Sequence, residues 1–389
     1  MNITLKRTEE QVELVKAMAS KNRNVAFEAQ AAAAEFVGPV LSEIMNTAPT
    51  LSNMFSSFSF NQDDNPSLPL DLYYDVTDTD YLEIWGQQVA GGLPSNSIVP
   101  THSEVKFATY RLETAVDFDR RYAARSRLDV VSKTFTRIAQ ELLIKQEHTS
   151  ANLVLGVLAK AETKTNLGDL EHVIKSANAS QFLLADLNAL LTRAKRLNGS
   201  WSGGTAVNGT RGITDLVVSP EIMGEIRAMA YNPINTKDSS GSTGSSIAPE
   251  SSIPGTEAMR NELYNNAGAT ELYGISITES NELGAGATSR FNSIYNTVLA
   301  AGDPGDQGTG AGTGGAKKFT VASDEILIGI DRSRDSLMRA IATDSDSGAE
   351  LSLVADDQYS IRQNKIGYYA QLEEGRMVLD KRAVTGIVV

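Results

Sequence analysis

Between Asp63 and Glu104 the sequence has no lysine and no arginine. The same 42 residues carry eight acidic side chains: Asp63, Asp64, Asp71, Asp75, Asp78, Asp80, Glu83 and Glu104. That is −8 of a chain total of −13. A stretch so one-sided has no counter-charge within itself. It faces solvent or meets basic groups from elsewhere, including another copy of the chain. Four arginines, Arg120, Arg121, Arg125 and Arg127, crowd into eight positions just downstream. They are the nearest dense positive charge.

The rest of the composition narrows the choice. With 389 residues the chain can build two or more cored domains, and 41% hydrophobic with 21% charged residues is ordinary for a water-soluble globular protein. No run approaches the roughly 20 apolar residues of a membrane span, and the first 24 residues hold no apolar secretory core. A cytoplasm, or release by lysis, is therefore expected. The absence of cysteine excludes disulfides, thiolate metal sites and thiol catalysis. The three histidines, His102, His148 and His172, are too scattered to suggest a ligand set. A pI near 4.9 opposes a nucleic-acid-binding surface. It does not oppose a wall around DNA, which mutual repulsion would keep from sticking.

Along the chain, residues 5–46 read as helix, with Val12, Val15 and Met18 at helical spacing and an alanine-rich run from Phe27 to Ala34. Pro39 is expected to interrupt it and Pro49 to end it. The apolar stripe is narrow, so this arm should have little core of its own and lie on a neighbour. Leu70–Val76 and Tyr81–Val89 flank Ala90-Gly91-Gly92 and read as a long exposed hairpin bearing Tyr73, Tyr74, Tyr81 and Trp85. Residues 103–119 alternate as one long strand with a slip near Ala108, the mark of a bulge.

Ser126 with Asp129 reads as a capping pair. Leu128, Val131, Phe135, Ile138 and Leu142 then step 3, 4, 3, 4, the seam of a spine helix running to about Glu162. Next come a helix over Ser180–Leu197, a Gly/Ser loop holding Trp201, an apolar strand over Ile213–Val218, and a helix capped by Ser219-Pro220 with Glu221 near its positive end. Leu272–Thr278 and Glu325–Ile330 read as strands, Ser239–Pro254 as a mobile loop, and Gly302–Ala316 as a glycine-rich insertion. The tail reads as a hairpin, Ile361–Glu373 and Met377–Val389 about a Glu374-Gly375 turn.

No motif for catalysis survives its structural requirements. Gly310-Ala-Gly312-Thr-Gly-Gly315 matches a dinucleotide fingerprint in letters, but a polar loop precedes it and a strand-like run follows, where phosphate binding needs strand before and helix after. Asp344-Ser-Asp346-Ser-Gly348-Ala-Glu350 fails as a calcium loop because glycine occupies the third ligand position. Asp75, Asp78 and Asp80 at a hairpin read as solvated acids. No nucleophile elbow and no histidine pair is present. No catalytic, cofactor-binding or metal residue is assigned, and no cofactor is expected.

The order of parts carries the reading: helical arm, exposed hairpin, strand, spine helix, inserted α/β domain, β-rich return. With RRYAARSRLDVVSKTFTRIAQELLIKQEH as spine, ITDLVVSPEIMGEIRAMAYNP in the insertion and IGYYAQLEEGRMVLDKRAVTGIVV as closing strands, the chain resembles the major capsid proteins of tailed double-stranded-DNA bacteriophages. That fold is shared with encapsulins. The resemblance implies an α+β phage capsid fold, with N-terminal arm (1–62), extended β-hairpin loop (63–104), peripheral domain with the spine helix (105–165 and 351–389) and inserted axial domain (166–350). It implies a non-enzymatic subunit that self-assembles into hexamers and pentamers of an icosahedral capsid around double-stranded DNA, located in the virion and assembled in host cytoplasm. Its partners would be further copies, a portal protein, a separate scaffolding protein and a decoration protein, with no membrane and no sequence-specific DNA contact. An encapsulin-type compartment shell is the alternative. The lysine-free loop predicts no isopeptide crosslink through it, and an arm that starts near Met1 predicts a separate scaffold. The arginine cluster has three readings: local pairing with Asp117, Asp119 and Asp129, phosphate binding, or an inter-subunit contact that joins Asp71, Asp75, Asp78, Asp80, Glu83 and Trp85 of one copy to Arg120, Arg121, Arg125 and Arg127 of the next.

Overall fold

The computed structural model describes residues 8–61, 65–69, 104–165, 168–178, 181–198, 212–229, 270–286, 289–313, 315–343, 349–356 and 363–389. The expected hairpin strands, Trp201, Ser239–Pro254 and the Asp344–Gly348 run lie outside them. The fold is mixed α+β. The chain forms two compact units. The first comprises 1–67, 106–150 and 338–377; the second comprises 68–105, 151–337 and 378–389.

In the first unit, helices α1 (Glu9–Met18) and α2 (Arg23–Thr47) are each N-capped by a side chain, Thr8 accepting from the Gln11 amide and Asn22 from the Asn24 amide. Pro39 does not break α2. It lies on the exposed side, where the carbonyl it leaves unpaired, that of Glu35, can meet water. The arm also has a core that the sequence did not promise. Ala29, Ala33, Ala34, Val37, Leu41 and Met45 form a buried stripe packed with Val131, Phe135 and Ile138 of the spine and with Ile366 and Tyr368. Alanine on that stripe lets the helix approach closely, so a narrow apolar face suffices.

The spine, α4 (Leu128–Lys160), is 33 residues long, or roughly 50 Å. Its expected seam is buried throughout. Its first turn differs from expectation. Ser126 does not cap it but adopts a left-handed conformation, φ 53°, in the step from the short helix α3 (Arg120–Ala124). The Ser126 hydroxyl has no hydrogen-bond partner among the described residues.

One sheet backs this unit. Strand β1 (Ser56–Asn61) pairs in parallel with β12 (Leu337–Thr343). The order continues through β14 (Lys365–Val378) to β13 (Ser352–Asp356), with β4 (Thr109–Asp119) running antiparallel along β14. The slip expected near Ala108 is real: the strand breaks between β3 (Glu104–Lys106) and β4. Strand β3 pairs with β2 (Ser67–Pro69).

The tail is not a hairpin. Strand β14 passes straight through Glu374-Gly375, and Gly375 pairs with Thr109. A Cβ at Gly375 would lie 3.1 Å from the Ala108 carbonyl, so glycine here serves close approach to the bulge rather than a turn. The last strand, β15 (Val384–Val388), lies in the other sheet.

The second unit holds that sheet, of order β7-β15-β11-β8-β10-β9, where β7 is Val173–Lys175, β8 Asp215–Val218, β9 Thr270–Leu272, β10 Ile275–Glu279 and β11 Ile326–Ile330. The strand expected over 272–278 is a tight hairpin instead, turning at Tyr273 (φ 54°) and Gly274 (φ 75°). Strands β5 (Glu162–Thr165) and β6 (Gly168–Glu171) form a separate pair. Helices α5 (Leu184–Leu197) and α6 (Pro220–Met229) bury Leu187, Leu190, Ile222 and Ile226 against the sheet's Leu216, Ile277 and Leu327. Helix α7 (Arg290–Val298) buries Phe291 and Tyr295. Ser219 caps α6 as expected, its hydroxyl accepting from the Ile222 amide at 3.2 Å.

Candidate functional site

The densest polar constellation of the first unit centres on Glu374, where the sequence suggested a turn. On a strand, residues two apart share a face, so Glu374 and Arg376 point the same way into the unit. One Glu374 oxygen accepts from Arg339 Nε at 2.8 Å, Arg376 Nη2 at 3.1 Å and Gln146 Nε2 at 3.1 Å. The other accepts from the Tyr110 hydroxyl at 2.6 Å and Arg376 Nε at 3.1 Å. Arg376 reaches on to Ser52 and Ser150 and lies over the Phe55 ring at 5.4 Å. Arg339 also reaches Asn46 at 3.3 Å. Glu147 accepts the amides of Leu51 and Ser52 at 3.0 and 2.9 Å.

Burial would raise the Glu374 carboxyl, but Arg376 and Arg339 outweigh it and hold the group below the usual carboxylate range. Burial and the adjacent carboxylate push the Tyr110 hydroxyl up. The cluster is closed to solvent, with the Glu374 side chain at 0% exposure, and it offers no open position to a substrate. What it does is mechanical. It joins the end of α2 (Asn46), the turn after it (Ser52), β4, α4, β12 and β14 through one carboxylate. Sequence reasoning missed it. The available signal was the Glu374–Arg376 spacing, which makes sense only on a strand.

The expected interface residues fall into two groups. Asp71, Asp75, Asp78, Asp80, Glu83 and Trp85 lie outside the described residues. Of the arginines, Arg120 donates to the Ala19 carbonyl at 3.3 Å, closing the end of α1. Arg121 pairs with Asp119 at 3.2 Å while four-fifths of its side chain stays exposed. Its amide, and then its charge with that of Lys365, hold the Asp119 carboxyl below its usual value. Arg125 and Arg127 are exposed and make no ion pair among the described residues.

A surface that the sequence did not single out lies on α2. Beside its buried stripe α2 exposes Val25, Phe36 and Val40 on one flank and Phe27 on the other, half of the eight large hydrophobics exposed among the described residues, and Phe36 is 64% exposed. Phe36 and Val40, one turn apart, put adjacent apolar side chains in water on an otherwise anchored helix, which suits an interaction surface.

In the second unit the glycine-rich insertion is a packed loop with no nucleotide-binding geometry. The Asp306 carboxylate accepts the Lys318 and Phe319 amides at 2.9 and 3.0 Å. Asp324 accepts the Thr309 and Thr320 amides at 3.2 and 2.7 Å. A Cβ at Gly308 would lie 2.1 Å from the Phe319 backbone, so only glycine fits. His172 is a core histidine, its Nδ1–H donating to the Val384 carbonyl at 2.9 Å and its Nε2 accepting from the Thr163 hydroxyl at 2.7 Å. Burial lowers its pKa. Among the described residues no three His, Asp or Glu side chains are placed to hold a metal ion, and no helix is long and apolar enough to cross a membrane.

No family model and no curated protein matches the sequence. Among solved structures, similar chain paths occur in shell proteins. The capsid of the native GTA particle is 14% identical, with 87% of this chain and 89% of that chain covered at a TM-score of 0.47. The capsid of the cyanophage P-SCSP1u is 12% identical, with 86% of each chain covered at 0.45. The SrpI encapsulin of Synechococcus elongatus is 12% identical, with 74% and 76% covered at 0.37. The chain resembles capsid and encapsulin subunits. Identities this low transfer no residue role.

Proposed function

We propose that this chain is a major capsid protein: a structural, non-enzymatic subunit that assembles with its own copies into hexamers and pentamers of an icosahedral phage shell around double-stranded DNA. The observation that carries the reading is the outward face of α2. That helix is anchored on its own core by one side and presents Val25, Phe36 and Val40 on another, in a chain whose net charge of −13 otherwise favours water. Apolar area at roughly 25 cal/mol per Å² supplies most of the holding energy. Exposed ion pairs give under about 1 kcal/mol each and set register. The Lys/Arg-free acidic segment and the exposed Arg121, Arg125 and Arg127 supply those charges.

In this reading the first unit is peripheral and the second axial, with loop 63–104 reaching neighbours and the exposed flank of α2 meeting them. The closing strand β15 counts with the axial unit, since it lies within that sheet. A portal, a separate scaffold and a decoration protein complete the particle, which forms in host cytoplasm.

Electron microscopy of the expressed full chain tests the proposal. Closed shells are expected. Phe36→Asp with Val40→Asp should leave a folded, unassembled chain, and Arg121→Glu with Arg125→Glu should weaken assembly most at low salt, where the introduced like charges are least screened. Wild-type protein that stays monomeric at high concentration overturns the reading. Nucleic acid protected inside native particles supports the capsid; a protein cargo in its place supports the encapsulin-type compartment.

A further inference from the structure

Glu325 is a buried acid that the shell reading does not use. It lies one residue before β11, and its residue surface is 5% exposed. Its backbone closes the end of the β11–β15 ladder by a reciprocal pair, its amide donating to the Val389 carbonyl at 3.0 Å and the Val389 amide donating back at 2.9 Å. Its side chain is directed at the head of α6, where the Ser219 hydroxyl is its hydrogen-bonding neighbour. Among the described residues Oε1 has no hydrogen-bond partner, and no cation acts on the carboxyl. The charged side chains acting on it are Glu221 and Glu225, one turn apart on α6, and Glu225 already accepts the Phe182 amide at 2.7 Å. Strand β11 is apolar throughout, and β15 brings no titratable side chain.

A carboxyl so placed has one low-cost form. As an anion it is desolvated and faces two like charges. As the neutral acid it carries its own donor. We propose that Glu325 is a proton-operated latch on the C-terminal strand: neutral, it stays closed against α6 and holds the end of the β11–β15 ladder; ionised, it is repelled by Glu221 and Glu225 and lets that end open.

Burial, with Glu221 and Glu225 adding, lifts the group from the ordinary 4.5 to about 7. The folded chain therefore binds a proton that the unfolded chain has already released between those two values. Stability contributed by the neutral form is complete below about 4.5, falls as pH rises, and is gone above about 7. Within that window the opening constant rises about tenfold per pH unit for one proton. Burial lowers the His172 pKa from its ordinary value, so its contribution to stability has the opposite sign. The informative quantity is therefore the difference between wild type and Glu325→Gln, in which His172 cancels.

The test is a pair of pH series on the full chain, from pH 5 to pH 8. The melting temperature of Glu325→Gln minus that of wild type should grow with pH and level off near pH 7. Amide protection at Glu325 and Val389, corrected for intrinsic exchange, should fall in wild type and hold in the variant. A melting difference independent of pH, or protection at Val389 that does not respond, overturns the latch. Should Glu325→Gln fail to fold, Glu221→Gln, at an exposed site, provides the second arm: it should move the wild-type midpoint to lower pH, and an unmoved midpoint overturns the proposal equally.

Discussion

Glu374 and Glu325 are both almost wholly removed from water, yet the two units treat them oppositely. In the first unit the carboxylate meets two guanidiniums, an amide and a phenol, and every lone pair has a donor. In the second the carboxyl meets two further acids, and one of its oxygens has no donor among the described residues. Burial raises both; partners alone decide which remains charged. The first is a fixed anion that organises six elements. The second is the group in this fold best suited to change charge near neutrality. Their pH signs are opposite as well. Stability from Glu374 is present above the ordinary carboxylate value and lost as acid protonates it, whereas stability from neutral Glu325 is lost as pH rises to about 7.

The largest effect should come from breaking the paired site. Glu374→Ala leaves Arg339 and Arg376 buried without their anion and should cost about 3–5 kcal/mol, read as a lower denaturant midpoint. Replacing Arg339, Glu374 and Arg376 together by methionine should recover most of that loss. A triple variant as unstable as the single one would show that packing, not charge pairing, sets the difference between the two sites. Next, Glu325→Gln should stabilise the chain above pH 7 by on the order of 2 kcal/mol and by little at pH 4.5. Smaller again, His172→Gln should flatten the loss of stability below the ordinary histidine value of 6.5, because the buried imidazole resists the charge that the unfolded chain accepts there. Circular dichroism melts at pH 4.5 and 7 check both. The smallest is a control without charge. Ser126→Gly relieves a left-handed serine and should gain about 0.5–1 kcal/mol equally at every pH. A pH-dependent gain there would mean that the profiles do not report the two carboxyls.

Local patterns were legible in the sequence where local chemistry decides them. The 3-4-3-4 seam gave the spine, alternation with one slip gave β4 and its bulge, and Ser219-Pro220 gave the start of α6. What escaped depends on residues far apart in sequence. Glu374-Gly375 has the letters of a turn, and only the approach of the Ala108 carbonyl explains its glycine. Glu325 has the letters of a solvated acid ahead of a strand, and Val389, 64 residues later, helps to enclose it. The alanine stripe of α2 looked too narrow to hold a core because the spine it packs on is about a hundred residues away. Of the expected contact between copies, the described residues contain only the arginine side, with Arg121 engaged locally and Arg125 and Arg127 outward-facing.

The glycine-rich loop divides sharply along its length. At Gly308 even one added methyl group collides with Phe319, and Asp306 and Asp324 bind the loop's amides on either side, whereas Ala311, Gly312 and Thr313 face solvent. In a chain with no cysteine, Thr313→Cys would create a single thiol for attaching a fluorophore, a gold cluster or a displayed peptide. The anchored base beneath it should hold such a tag at a defined place on the second unit.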